Sequence, residues 1–167
     1  KGYYVNYVDG DFIEDNLSVD TVLVYLFGIS NEVRSNRMLD AMENLLETKN
    51  NQLQEAGDYG VMCVYPFYKG VYSSYGKSSQ DYEYHNGGNW PYWSAIYAYA
   101  KFLAGREWRY ALESWFVYNL ERGIFTPVEY FSPCRKSGST LQAWSGAAAF
   151  TLDFIDKDSF FAPNHLK

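Results

Sequence analysis

Apolar residues recur at helical spacing in five segments of the chain, and polar loops separate these segments. Residues 18–29 and 91–104 are apolar or aromatic at nearly every position, which is typical of helices buried on most sides. Residues 32–48 and 107–122 have an apolar stripe opposite charged side chains, which is typical of outer helices. Residues 140–155 are small and apolar, so they favour close helix packing. The pattern predicts hairpins of alternating inner and outer helices, as in α-toroids and α-solenoids.

The predicted helices have recognisable ends. Ser18 and Asn31 are candidate N-caps, because their side chains can accept a backbone N–H. Pro91 suits a first helical turn, since it has no N–H and its φ is fixed. Gly105 and Gly123 end the third and fourth predicted helices. These boundaries support an all-α fold in a single domain that spans residues 1–167.

Shorter signals interrupt the helical pattern. A turn at Asp9 between alternating residues predicts a short hairpin, and residues 61–65 predict a short strand. Residues 49–90 form a long connection, and a long loop in a compact domain is often functional. Its Tyr-, Ser- and Gly-rich part, residues 69–84, predicts a binding loop.

Composition excludes several classes of protein. The net charge of −6 argues against a general nucleic-acid binder, which would carry a basic patch. The sequence contains no run of about 20 apolar residues, so it predicts no membrane span. The two histidines are not spaced as metal ligands, so neither a metal nor another cofactor is expected. Cys63 and Cys134 can form one disulfide or remain two free thiols.

The stretch YHNGGNWP, residues 84–91, combines groups that suit sugar binding. His85, Asn86 and Asn89 can form directed hydrogen bonds with hydroxyls, and Trp90 offers a flat apolar face for C–H groups. The consecutive glycines allow a close approach of backbone or ligand. The alternative is a well-packed loop in which the His and Asn side chains cap backbone groups.

Three motifs resemble those of glycosidases with an (α/α)6 toroid. Residues 84–91 resemble the HNGG-x-WP stretch of neutral/alkaline invertases and a similar stretch in the amylo-α-1,6-glucosidase domain of glycogen-debranching enzymes. PVEYF, residues 127–131, resembles the PEYYDG-type segment of those families, and LQAWS, residues 141–145, resembles their QAWS segment. The three motifs have the same order and similar spacing over residues 84–146. The combination is specific for the superfamily but not for one substrate.

The resemblance has departures. Val128 separates Pro127 from Glu129, and Ser132 stands where an Asp-Gly turn would follow, which weakens an invertase assignment. A closed toroid has about twelve helices, whereas the sequence predicts five. The resemblance therefore implies the C-terminal portion of a catalytic toroid, with the missing N-terminal half as a candidate partner. It also implies little hydrolase activity for the isolated chain.

The resemblance implies inverting hydrolysis of α-glucosidic or related bonds, with Glu129 as the general base. Inverting enzymes need a second carboxyl group as the acid, roughly 6.5–9.5 Å from the base. Asp20, at the start of an inner helix, is the best acid candidate, although a helix-dipole role is the alternative. Glu129 can instead pair with Arg135 or cap a helix.

The expected substrate is an oligosaccharide or another glycoside. Trp90 and Trp144 can stack on sugar or belong to the core, and Asp81 and Glu83 are candidate rim carboxylates. The candidate substrate-binding residues are His85, Asn86, Gly87, Gly88, Asn89, Trp90, Gln142 and Trp144.

Other function classes stay open at this stage. One is a sugar-binding or scaffold fragment without turnover. Another is a polysaccharide lyase, which the acidic balance disfavours, or a glycoside phosphorylase, for which only Arg135 and Lys136 offer a basic cluster. The sequence leaves the sugar, the linkage and the oligomeric state undecided. It also leaves the compartment open, with the cytoplasm slightly favoured.

Overall fold

The computed structural model describes residues 1–68, 80–134 and 138–155. Within those ranges, none of the helices combines the length and the apolar character that crossing a lipid bilayer requires. The predicted binding loop at 69–84 lies largely outside the described residues. The elements in chain order are β1 (Tyr7–Asp9), β2 (Phe12–Glu14), β3 (Leu17–Ser18), a 3-10 helix (Val19–Val22), α1 (Leu23–Leu26), α2 (Glu32–Leu45), β4 (Val64–Tyr65), α3 (Pro91–Leu103), α4 (Arg109–Glu121) and α5 (Ala143–Ile155).

The prediction of an all-α fold forming part of an (α/α)6 toroid is wrong. Two small antiparallel sheets, β1–β2 and β3–β4, accompany the five α-helices in the described part, so the fold is mixed α/β and small. In the second sheet Leu17 pairs with Tyr65, and Ser18 pairs with Val64. This pairing joins segments that are far apart in sequence, so helical periodicity along the chain does not reveal it.

The first predicted inner helix is also wrong as a continuous element. Residues 17–29 form a strand, a 3-10 helix and a single α-helical turn in succession. Ser18 precedes the 3-10 helix, but its side chain makes no capping hydrogen bond. Phe27 and Ile29 are 73% and 70% exposed, in contrast to the burial that was predicted. A short apolar run fits a buried strand as well as a buried helix, which explains the error.

The other predicted elements are found near their expected positions. Asn31 caps α2, since its side chain accepts the Arg34 N–H at 3.0 Å. Pro91 occupies the first turn of α3, and Gly105 follows that helix with a φ of 68°. The predicted hairpin is β1–β2, which turns at Gly10. The predicted strand at 61–65 is confirmed only over Val64–Tyr65.

α3 is the central helix of the fold, because it packs against α4, α5 and the 3-10 helix. Its alanines at 95, 98 and 100 are buried and allow that close approach. Lys101 is also buried, at 2% exposure, and forms a hydrogen-bonded ion pair with Glu47, at 1% exposure. The Tyr97 hydroxyl donates a hydrogen bond to the same carboxylate at 3.1 Å. A buried charged pair therefore ties α3 to the segment that follows α2.

Candidate functional site

The two loops that carry the glycosidase-like motifs lie side by side. We call residues 84–91 the first loop and residues 127–142 the second loop. The Asn89 N–H donates to the Phe131 carbonyl at 2.9 Å, and the Phe131 N–H donates back to the Asn89 carbonyl at 2.9 Å. This reciprocal pair holds the loops together at the N-terminal end of α3.

The two glycines of the first loop permit tight packing within the protein. Gly87 has a φ of 106°, and a Cβ there would lie 2.4 Å from a ring carbon of Phe67. A Cβ on Gly88 would lie 2.6 Å from the Tyr84 carbonyl oxygen. Both glycines are buried, so their role in this structure is to let the loop fold against its neighbours.

The two asparagines of the first loop point into the protein and are completely buried. The Asn86 Oδ1 accepts the Tyr68 N–H at 2.8 Å. The Asn89 Oδ1 accepts the Ser94 hydroxyl at 2.9 Å, and its Nδ2 donates to the Tyr59 carbonyl at 3.2 Å. These amide groups hold the loop in shape, as the alternative interpretation of the sequence proposed.

The aromatic residues of the site differ in exposure. Trp90 is only 6% exposed, and its Nε1 donates to the Tyr84 carbonyl at 3.1 Å. The exposed His85 ring stacks on the Trp90 indole with centroids 4.6 Å apart, and Tyr130 stacks on it at 5.4 Å. Trp144 lies 6.5 Å from Trp90 and is 48% exposed. His85 and Trp144 are therefore the rings that solvent or a ligand can reach.

Glu129 is a half-buried carboxylate whose orientation is fixed by the backbone. Its Oε2 accepts the Ser139 N–H at 3.1 Å, and its own N–H donates to the Ser139 carbonyl at 2.9 Å. A Cβ on Gly138 would lie 2.5 Å from Oε2, so the glycine leaves room for the carboxylate. Arg135, the other expected partner, lies outside the described residues.

The charge of Glu129 acts on two aromatic neighbours. One face of the otherwise exposed His85 ring is covered by Trp90, and this partial desolvation lowers the pKa of His85 below its ordinary value of 6.5. Glu129 opposes this shift because a negative charge favours the imidazolium. Burial raises the pKa of Tyr130, and the charges of Glu83 and Glu129 raise it further. The carboxylate therefore lies within electrostatic range of the exposed imidazole.

Asp20 lies in the 3-10 helix with its side chain exposed. It acts on Cys63, whose pKa is raised to about 12 mainly by burial and to a smaller degree by the Asp20 charge. The Cys63 thiol donates to the Tyr84 carbonyl at 3.3 Å, and the same oxygen accepts the Trp90 indole N–H. The charge of Asp20 thus acts on Cys63, which is hydrogen-bonded to the first loop at Tyr84, whereas the charge of Glu129 acts on His85 in that loop.

The remaining candidates have mixed environments. Gln142 is half-buried, and its backbone N–H donates to the Pro127 carbonyl at 2.9 Å. Asp81 is exposed, whereas Glu83 is only 6% exposed and is not a rim residue. Both cysteines are free thiols, Cys63 buried and Cys134 exposed. The disulfide that the sequence also allowed is therefore not formed in this structure.

Sequence reasoning missed two residues that shape the site, Tyr130 and Ser139. Tyr130 is 1% exposed and stacks under Trp90, while Ser139 supplies the N–H that orients Glu129. The signal for Tyr130 was present, because an aromatic residue next to Glu129 in an extended segment points to the opposite side. The signal for Ser139 was absent, since its backbone rather than its side chain binds Glu129.

The comparisons with known proteins assign no family to the chain. No family model matches the sequence, and no curated protein matches it. Function therefore has to be inferred from the residues and the geometry described above.

Proposed function

We propose that this protein is carbohydrate-active and that the surface formed by His85, Glu129 and Trp144, the Glu129 face, binds a neutral glycoside. In this proposal Glu129 is the general base of glycoside hydrolysis. The supporting observation is a carboxylate oriented by the Ser139 N–H within electrostatic range of the exposed His85 imidazole, which stacks on Trp90. The half-exposed Trp144 indole lies 6.5 Å from the same Trp90 ring. The order of the three motifs in the sequence supports the same chemistry.

The proposed roles of His85, Glu129 and Trp144 follow from the chemistry of sugars. A pyranose ring has apolar C–H faces that pack on an indole, and hydroxyls that need directed hydrogen bonds. Trp144 supplies the indole, while His85 and Glu129 supply a ring nitrogen and a carboxylate. The net charge of −6 favours an uncharged sugar over a uronate.

A general base has to stay ionised and has to reach the attacking water. Glu129 is half-buried, so it keeps access to water while the Ser139 N–H restricts its rotation. We assign its Oε2 to that backbone hydrogen bond and its second oxygen to the water. The proposed general acid is Asp20, an exposed carboxylate near Cys63, for the inverting mechanism.

The expectation of little activity assumed half a toroid, which this fold is not. The experiment therefore compares glucose release from maltotetraose, isomaltotriose and sucrose by the wild-type chain and by the Glu129→Gln variant. The amide keeps the size of the side chain but cannot accept the proton, so kcat should fall by roughly 10²–10⁴-fold. The change in KM should be much smaller, since substrate contacts are largely retained. Glu113→Gln, an exposed position on α4, is the matched control. Equal kcat for Glu129→Gln and the control would remove Glu129 from the mechanism.

A second candidate function is sugar binding without turnover. It is favoured by one observation: Asn86, Asn89 and Trp90 are buried, so a sugar would contact mainly His85 and Trp144, which can stack on a ring but carry no carboxylate. Under this candidate the wild-type chain binds maltotetraose but releases no glucose during long incubation. Release of glucose that depends on Glu129 supports the hydrolase instead.

A further inference from the structure

A cavity of about 240 Å³ lies between the first residues of the chain and the N-terminal half of α2. We call it the Arg34–Arg37 cavity. No carboxylate lines it within the part of the chain that the structure describes. It shares no residue with the Glu129 face, so this inference is independent of the proposed function. Its lining residues are Gly2, Tyr3, Tyr4, Arg34 and Arg37.

The first residues of the chain form an anchored aromatic wall of this cavity. The Tyr3 hydroxyl donates to the Asp15 carbonyl at 3.0 Å, and the Lys1 ammonium forms an ion pair with the Asp15 carboxylate. Tyr3 is half-buried, whereas Tyr4 is 36% exposed. The wall is therefore held in place by contacts outside the cavity, and it leaves an aromatic surface that a ligand can reach.

Arg34 and Arg37 give the cavity its charge. They are three positions apart on α2, so their side chains leave neighbouring positions on one face of the helix. Both side chains are exposed, so their guanidinium groups can turn towards a ligand, and neither forms an ion pair with a described residue. The other described lysines and arginines all have a carboxylate or an aromatic ring as partner: Lys1, Lys49, Lys101, Arg106, Arg109 and Arg122. In a chain of net charge −6, this cavity therefore combines two positive charges with no counter-charge.

We propose that the Arg34–Arg37 cavity binds a small phosphate monoester that carries an apolar ring. Each guanidinium has a planar fork of N–H donors that can bind two phosphate oxygens at once. A phosphate monoester has three terminal oxygens and is close to a dianion at neutral pH, so it can serve both forks and balance both charges. The ring of the ester packs against the Tyr3 and Tyr4 side chains.

Other ligand classes fit this cavity less well. A monocarboxylate has two oxygens and one negative charge, so it leaves one of the two guanidiniums without a partner. A neutral sugar balances neither charge. A long nucleic acid would extend beyond the cavity and would be repelled by the net charge of −6. The volume equals roughly eight water molecules at about 30 Å³ each, which suits one phosphate with a single ring.

The test titrates phenyl phosphate into the full chain labelled with ¹⁵N, at about pH 7.5, where the ester is mainly a dianion. The expected result is a saturable shift of the Arg34 and Arg37 side-chain N–H resonances, with a Kd of about 1 mM for so small a ligand. Inorganic phosphate lacks the ring and should bind roughly threefold more weakly. Benzoate has the ring but only one carboxylate, so it should bind roughly tenfold more weakly.

Arg34→Gln and Arg37→Gln each remove one guanidinium from an exposed position, and each should weaken the binding of phenyl phosphate roughly tenfold. Arg34→Lys keeps the charge but removes the fork, so it should weaken binding roughly threefold. Arg109→Gln, at an exposed position on α4, is the matched control and should leave the Kd unchanged.

Three results would overturn the proposal. The first is that about 10 mM phenyl phosphate, ten times the expected Kd, shifts neither arginine resonance. The second is that inorganic phosphate or benzoate binds as tightly as phenyl phosphate. The third is that the Arg34→Gln and Arg37→Gln variants bind no more weakly than Arg109→Gln.

Discussion

The imidazole of His85 lies flat against the indole of Trp90, with ring centroids 4.6 Å apart and planes within 2° of parallel. The indole itself is fixed, because its N–H is bonded to the Tyr84 carbonyl. His85 is therefore held at the surface in one orientation, within electrostatic range of Glu129. The stack lies within the first loop, and the electrostatic effect of Glu129 on His85 links that loop to the second.

The pKa of His85 gives the first prediction. Burial lowers it below 6.5, so between that value and the folded-state pKa the unfolded chain binds more protons than the folded chain. The free energy of unfolding should therefore fall as the pH drops from about 7 towards the folded-state pKa. Above pH 7 the imidazole is neutral in both states, so this penalty should be absent and His85 should cause no change of stability with pH. An NMR titration of the His85 ring protons beside urea denaturation at each pH measures both quantities.

The same titration tests the proximity of Glu129. Glu129→Gln removes the negative charge that raises the pKa of His85, so that pKa should fall further below 6.5. Glu113→Gln on α4 should not change it. An unchanged His85 pKa in the Glu129→Gln variant would mean that the carboxylate does not act on the imidazole.

The buried ion pair of Lys101 and Glu47 gives a prediction about stability. Lys101→Met leaves Glu47 buried without its main counter-charge, which should cost about 3–5 kcal/mol. Replacing both partners, as Lys101→Met with Glu47→Leu, should recover much of that loss. Lys1→Met is the control, since both side chains of the Lys1–Asp15 ion pair are largely exposed, and it should cost at most about 1 kcal/mol. Equal midpoints of urea denaturation for the two Lys→Met variants would contradict the burial of this pair.

The tight contact at Gly87 in the first loop gives a prediction about stability. Gly87 and Gly105 both have positive φ, at 106° and 68°, but only a Cβ on Gly87 meets another side chain, that of Phe67. Both Gly→Ala variants should therefore lose stability through the unfavourable φ. Gly87→Ala should lose about 1–3 kcal/mol more, because its φ lies outside the left-handed α region and because the added Cβ overpacks the core against Phe67. Thermal unfolding of the two variants measures the difference, and a smaller loss at Gly87 would count against the tight contact.

Sequence patterns predicted those elements that local chemistry determines. α2 and α3 have long apolar stripes, an Asn cap and a Pro in the first turn, and both helices occur close to the predicted bounds. β3 and β4 have two residues each, and their pairing depends on contacts distant in sequence. Strand preference depends strongly on such surroundings, so the strand at Leu17–Ser18 was missed and residues 18–29 were predicted as one continuous helix.

Part of the candidate site was predictable because its motifs are short stretches that can be recognised locally in the sequence. The motifs at 84–91 and 127–131 were visible in the sequence, whereas the Asn89–Phe131 pair that joins the two loops was found only in the structure. The sequence did not reveal which polar side chains point inward, because loops have no periodicity from which burial can be inferred. Asn86 is therefore buried although it looked like a ligand-binding residue, while Trp144 is half exposed.

Trp144 provides the most direct test of the proposed sugar-binding face. Titration calorimetry with maltotetraose compares the wild-type chain with Trp144→Ala and with Phe27→Ala, which removes an aromatic ring that is 73% exposed on another part of the surface. We predict that the wild type and Phe27→Ala bind with the same Kd, and that Trp144→Ala binds about tenfold or more weakly because the stacking surface is lost. Equal binding by all three proteins, or no binding by the wild type, would contradict the assignment of the Glu129 face to a glycoside.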